Sequence, residues 1–235
     1  MIVLAFDSTA KVASVAVSDG ERILASYSID NGLTQSELLL PMADDLLRSL
    51  KLSFDDVDIY ACSVGPGSFT GVRIGVSLVK GLAFGKNKPC VAVSTLEGLA
   101  ENLAPLDGVL VPLMDARRSQ VYTAIFLSDG GTVTRACEDM AISISELAER
   151  LATYSEKKIY LSGDGYAVAY PKLIELGVKV DRTPEMLINE NAASVARVAY
   201  RKYLAGEYTT DTEISPTYLR LPQAERERLA REGKL

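Results

Sequence analysis

The sequence predicts an α/β protein of two tandem lobes, and three observations predict it. The first thirty residues alternate with the two-residue period of strands in three consecutive runs, which opens the chain on an antiparallel meander. Helix and strand patterns then follow in the order βββαβαβ. After residue 104 the pattern starts again, and both copies end their first strand in Asp, at Asp7 and Asp115. That order is the one of a ribonuclease H-like lobe. Two such lobes, residues 1–104 and 105–235, make the expected architecture the actin-like ATPase (ASKHA) fold.

Each element has its own signal. The opening strands are residues 2–7, 12–18 and 22–29, with Asp19-Gly20 as the hairpin turn between the second and third. A helix over 34–50 starts at Thr34, with Glu37 three residues later as a capping box. A strand over 59–64, a helix over 69–85, a strand over 90–93 and a helix over 96–103 complete the first lobe. In the second, strands over 111–115 and 121–126 echo the opening hairpin, and a strand running into Gly163-Asp-Gly165 echoes the one running into Gly65-Pro-Gly67. Helices are predicted over 144–153 and 191–204, with a short segment around 170–177 between them. Residues 216–220 read as an extended exit, and the remainder as a charged terminal helix closed by Gly233.

Composition narrows the chemistry. The 235 residues are 48% hydrophobic and include three Cys and no His. Without His there is no Ser/His/Asp or Cys/His site, no His-liganded metal and no His general base within this chain. A net charge of −6, from 25 Lys and Arg against 31 Asp and Glu, supplies no concentrated basic face for a phosphate backbone. Three Cys with neither ligand spacing nor an even count fit a reducing cytoplasm. No uncharged run reaches the ~18 residues that a membrane span requires.

Two segments carry candidate chemistry. Asp7-Ser-Thr9 fits a phosphate hairpin by residue type, because hydroxyls and turn amides donate to phosphate while a carboxylate can hold Mg²⁺ through water. Gly65-Pro-Gly-Ser-Phe-Thr-Gly-Val-Arg73 lies between an apolar strand and an apolar helix, so Gly65, Gly67 and Ser68 are candidates for a second anion loop at a helix N-terminus. The same glycines would equally serve a tight turn and close helix packing. On phosphate contacts alone, an ATP-dependent small-molecule kinase or ATPase is the alternative function. The second hairpin, Asp115-Ala-Arg-Arg-Ser119, places two Arg where such a site would keep small residues.

The first-lobe helices point elsewhere. Apolar side chains of the helix over 34–50 cover about 200° of its circumference, twice the ~100° needed to dock on one sheet. The helix over 69–85 leaves only a narrow polar strip around Arg73, Ser77 and Lys80. A partner chain would cover that excess, with Leu39, Leu46, Leu47, Val72, Val76 and Val79 as candidate anchors. Burial within the lobe would account for the same arc.

Five stretches together resemble a known family: residues 6–17, Ser36-Glu-Leu-Leu-Leu-Pro41, residues 65–83, Asp115-Ala-Arg-Arg118 and Pro216-Thr-Tyr-Leu-Arg220. In order along the chain they are similar to the TsaB (YeaZ) family, and the long stretch 65–83 is the most specific of them. Many members carry His before the Ser-Glu-x-Leu-Leu-Pro stretch; this chain has Gln35.

The resemblance implies a non-catalytic subunit for threonylcarbamoylation of adenosine 37 in tRNAs that read codons beginning with A. It implies pairing with the transferase TsaD through the first-lobe helices, a further partner in TsaE, a homodimer when alone, and tRNA contact only through the complex. Nucleotide and metal are then expected in the partner subunits or at their interface, with no tightly bound cofactor and no metal here. The metal-binding paralogue carries His-Leu-Glu-Gly-His, where this chain has Thr95-Leu-Glu-Gly-Leu99. Neither end residue offers an imidazole, so the resemblance excludes the glycoprotease label that rested on that metal.

Overall fold

A computed structural model of the chain describes residues 1–220. Strands β1 (Ile2–Asp7), β2 (Ala13–Asp19), β3 (Arg22–Ile29), β4 (Ile59–Ser63) and β5 (Cys90–Val93) form one sheet in the order β3-β2-β1-β4-β5. β1, β2 and β3 pair antiparallel, whereas β4 and β5 add in parallel beside β1. Strict alternation divides the strands' side chains between two cores. Leu4, Phe6, Val15, Val17, Tyr60 and Cys62 meet helices α1 (Gln35–Ser49) and α2 (Phe69–Ala83). Val3, Ala5, Ile59, Ala61, Val91 and Val93 face the opposite way.

What covers that opposite face corrects the domain boundary. Helix α6 (Ala192–Leu204), assigned from sequence to the second lobe, packs Val195, Ala196, Val198 and Ala199 onto the first-lobe sheet. Its start is pinned there, since the Ala192 amide donates to Ser14 Oγ of β2 at 2.9 Å and the Asn191 side chain caps the helix. Arg201 pairs with Glu101 of α3 (Thr95–Asn102) at 2.5 Å. Each buried Val contributes ~1.5–3 kcal/mol relative to exposure, a reward available only where an uncovered apolar sheet face exists. The chain then stays with the first lobe: Thr209 bridges to Cys90, Ile214 enters the α1/α2 core, and the Thr217 amide donates to the Val64 carbonyl at 2.7 Å. The second lobe therefore closes near residue 190.

That lobe is built on β6 (Asp107–Asp115). β7 (Gln120–Thr123) and β8 (Phe126–Asp129) both pair antiparallel with β6, at opposite ends of it, so the single strand expected over 121–126 is broken at Ala124 and Ile125. Short strands β9 (Val133–Arg135) and β10 (Met140–Ser143) extend the sheet to the order β10-β7-β6-β8-β9. Helix α4 (Ile144–Leu151), β11 (Ile159–Ser162, parallel to β6) and helix α5 (Tyr166–Glu175) follow. The repeat is thus real in space: β1 with β2 and β4 is matched by β6 with β7 and β11. α3 joins the lobes, burying Leu96, Leu99 and Leu103 against Leu110, Met114 and Phe126.

Two local expectations need correction. Thr34 does not cap α1 through its side chain; its hydroxyl meets Ser36 Oγ, and the Glu37 amide donates to the Thr34 carbonyl instead. The segment around 170–177 is the end of a ten-residue helix. The predicted terminal helix lies outside the described residues.

Candidate functional site

Three places could carry function: the turn after β1, the cleft between the lobes, and the outer surface of α1 and α2. The turn is closed. Asp7, Ser8 and Thr9 are 2%, 1% and 0% exposed. Asp7 Oδ1 accepts from the Thr9 amide at 2.9 Å and the Thr9 hydroxyl at 2.7 Å, and Oδ2 accepts from Ser63 Oγ at 2.6 Å. Ser8 Oγ donates to the Gly71 carbonyl at 2.8 Å, and the Ser68 amide donates to the Thr9 carbonyl at 2.7 Å. Both hydroxyls of the turn, those of Ser8 and Thr9, are already spent on the protein. Burial raises the Asp7 carboxyl above its ordinary range despite these hydrogen bonds.

The glycines explain how the turn closes. A Cβ on Gly71 would stand 1.9 Å from the Ser8 carbonyl oxygen, and one on Gly67 would stand 2.5 Å from that of Thr9. Gly65, at φ +112, has the Thr217 carbonyl oxygen 2.6 Å from where a Cβ would be. Of the alternatives open for this motif, close packing is the one realised. As phosphate-loop candidates Asp7, Ser8, Thr9 and Gly65 are corrected: all four are buried beneath the cleft. Only Gly67 and Ser68 reach its wall.

The position of the paralogue's metal pair is closed as well. Thr95 is fully buried with its hydroxyl unpaired, and Leu99 sits in the apolar joint between the lobes. Such residues do not fit a His-held metal. Among the described residues no three Cys, Asp or Glu side chains are grouped closely enough to hold one. Nearby Glu190 is buried with Oε1 unpaired, and its carboxyl is pushed up to about 8, first by burial and then by the negative charges of Asp7 and Asp164.

The cleft above is open and polar. It has a volume of about 550 Å³ and is walled by Lys11, Gln35, Asp115, Arg117, Tyr122 and Arg220, among others. The second copy of the turn lies here in a different state from the first. Arg117, Arg118 and Ser119 all have positive φ, at 63°, 53° and 59°. The bend is held by hydrogen bonds from the Arg117 amide to Asp115 Oδ1 at 2.7 Å and from the Asp115 amide to Asp164 Oδ1 at 2.8 Å.

The surface of α1 and α2 both supports and corrects the sequence expectation. Leu39, Leu46, Leu47, Val72, Val76 and Val79 are all 3% exposed or less and form the lobe's own core, so none of them can anchor a partner. The other half of the apolar arc remains outside. Leu40 is 44% exposed and Phe69 38%, and with half-buried Ile74 and Leu78 they wall an apolar groove of about 550 Å³ between the two helices. Leu40, Ile74 and Leu78 were part of the apolar arc; the missing signal was helix rotation.

At the groove's end sits a group that sequence did not bring together. The Arg73 guanidinium lies 3.7 Å from the centre of the Phe69 ring and donates from Nε to the Tyr218 hydroxyl at 2.8 Å. No spacing rule links positions 73 and 218.

Two ribonuclease H-like lobes across a cleft, with helix α6 returned to the first lobe, define an actin-like α/β protein in which the first-lobe turn is sealed. Comparison with known proteins places it more narrowly. A family model described as "TsaD: tRNA N6-adenosine threonylcarbamoyltransferase" matches residues 34–228. The tRNA threonylcarbamoyladenosine biosynthesis protein TsaB of Bacillus subtilis is 30% identical over 227 residues, 96% of each chain. The solved structure of YeaZ from Pseudomonas aeruginosa superimposes with a TM-score of 0.77 at 26% identity, covering 93% of this chain and 99% of that one. Component A of (R)-2-hydroxyglutaryl-CoA dehydratase from Acidaminococcus fermentans shares the fold alone, at a TM-score of 0.50 and 12% identity. The chain belongs to the TsaB family of tRNA threonylcarbamoyladenosine biosynthesis proteins, within the wider TsaD family.

Proposed function

We propose that this chain serves threonylcarbamoylation of adenosine 37 in tRNAs reading ANN codons as a non-catalytic subunit that docks on a TsaD transferase through the α1/α2 groove. The observation that carries the proposal is the groove itself: an apolar channel lined by Leu40, Phe69, Ile74 and Leu78 on helices whose inner faces are already satisfied. The names of the TsaB relatives support the pathway, and the match to the TsaD family model supports a place beside that transferase. Nucleotide and metal belong on this reading to the partner subunits or to their interface, TsaE joins the assembly, and tRNA is reached only through the complex. Without TsaD, two copies would cover the same groove as a homodimer.

The sealed Asp7 turn and the Thr95 and Leu99 substitutions favour this reading over a kinase or ATPase. The test is reconstitution of tRNA modification from TsaD, TsaE, the threonylcarbamoyl-AMP synthase, ATP, threonine, bicarbonate and tRNA, with and without this chain. Modification should depend on the chain. Leu40→Asp and Leu78→Asp should each weaken TsaD binding at least about tenfold, the scale of a central apolar interface contact. Mg²⁺-dependent ATP turnover by the isolated chain at enzymatic rates would instead establish the rival.

A further inference from the structure

The exit segment, residues 214–220, takes no part in the reading above, yet it runs from the first lobe to the second beside the cleft, which Tyr218 and Arg220 help to wall. Its first end is held by the first lobe: Ile214 is buried in the α1/α2 core, the Thr217 amide donates to Val64, and Tyr218 is bound by Arg73 and packed on Phe69 with ring centres 5.3 Å apart. Its other end is held by the second lobe: Arg220 donates from Nη1 to Gln120 Oε1 at 2.5 Å and from Nη2 to the Ala141 carbonyl at 3.1 Å. Gln120 begins β7 and Ala141 lies in β10, so both acceptors belong to the second lobe. Where the segment passes Pro66, Gly67, Val72 and Tyr122 it leaves a cavity of only about 20 Å³.

The lobes are joined on the far side by the α3 joint, so a chain fastened to both lobes beside the cleft limits how far they can part. The first-lobe fastening is also part of the groove. Phe69 and Arg73 line the groove, and Gln35, Phe69 and Thr70 line groove and cleft alike. A molecule seated in the groove therefore rests on the anchor of the strap.

We propose that residues 214–220 are an interlobe strap that couples occupation of the groove to the opening of the cleft, with Arg220 a positioning residue acting on the groove through Tyr218 and Arg73. The identity of the occupant rests on the reading that TsaD docks there; the strap itself does not. By linkage, whatever the partner does to the cleft, the cleft must do to partner affinity.

Two arms test it. In the isolated chain, Arg73→Ala frees the Tyr218 hydroxyl while Ile214 and Thr217 stay fastened, and should speed amide hydrogen exchange at Gln120 and Ala141, in the other lobe, by at least about fivefold. Unchanged exchange there overturns the coupling through Tyr218 and Arg73 whatever the partner is. In the second arm, TsaD binding is measured for Arg220→Ala and Gln120→Ala, both outside the groove, beside Leu40→Asp within it. Arg220→Ala and Gln120→Ala should each alter affinity by at least about fivefold, and the double variant no more than either alone. If thermal midpoints fall while TsaD affinity stays at the wild-type value, the contact is merely structural and the proposal fails. If Leu40→Asp alone leaves binding intact, the docking reading fails, and the exchange arm still decides the strap.

Discussion

The two copies of the repeat present the same element in opposite states. After β1, Asp7 is buried, bonded on both oxygens and roofed by helix α2 at Gly71; after β6, Asp115 is exposed and leads into three residues of left-handed backbone, the first of which, Arg117, walls the cleft. Both Asp residues hold an amide two positions on, from Thr9 and from Arg117. The local turn chemistry is therefore shared, and what differs is the roof. α2 can close to 1.9 Å from an imagined side chain only because position 71 has none, whereas the second turn carries two Arg that no helix could cover without stranding their charges. One ancestral loop has become a structural plug and the other a cleft wall.

The largest expected effect tests the plug. Gly71→Ala forces a methyl into the Ser8 backbone and should cost more than ~3 kcal/mol in chemical denaturation, since neither element can shift without opening the core. A cost below ~1 kcal/mol would mean that the turn is not sealed. Next, Asp7→Ala strands the Ser63 and Thr9 donors in the interior and should cost ~2–3 kcal/mol, against less than ~1 kcal/mol for Asp115→Ala at the exposed copy. Equal losses in paired melts would erase the contrast.

Glu190 reads the surroundings beneath the two turns, because burial first and then the charges of Asp7 and Asp164 raise its carboxyl. Its proton is held to about pH 8 in the fold but is lost near the ordinary 4.5 when unfolded. Stability is therefore full below pH 4.5, where the acid is neutral in both states, falls as pH rises from 4.5 toward 8, and stays at the lower level above that, where the fold holds a buried charged carboxylate. Glu190→Gln should match the wild type at pH 4 and exceed its stability by more than ~1 kcal/mol at pH 8.5. A constant difference between the two denaturation profiles across that range would remove Glu190 from the account. The smallest effect lies at the open turn: Arg118→Gly relieves a left-handed residue at φ 53° and should stabilise by up to ~1 kcal/mol in the same assay, where Gly71→Ala does the reverse.

Much of this was legible in the sequence, for reasons specific to each part. The strand runs placed β1, β3 and β5 to the residue and β2 to within one, because short apolar runs bounded by turn residues leave a direct trace even where, as in β1 and β2, both faces are buried. The Asp-ended strands marked the repeat because turn chemistry is local. The groove was legible as an excess of apolar arc but not as residues: on α2, Val72, Val76 and Val79 turned inward while Ile74 and Leu78 turned out, and either choice satisfies the same pattern. α6 carried no label saying which sheet it covers.

By itself the sequence determined the two-lobe α/β class, the position of nearly every first-lobe element, and the absence of any imidazole for metal or proton chemistry, all of which follow from residue type and short-range period. Only the tertiary structure decided that α6 returns to the first lobe, that the Asp7 turn is plugged while the Asp115 turn stays open, and that Arg73 and Tyr218 meet across 145 residues of chain. Periodicity states which side chains share a face. Which face finds which is set by the apolar area left uncovered when the rest of the chain has folded, and that quantity exists only in three dimensions.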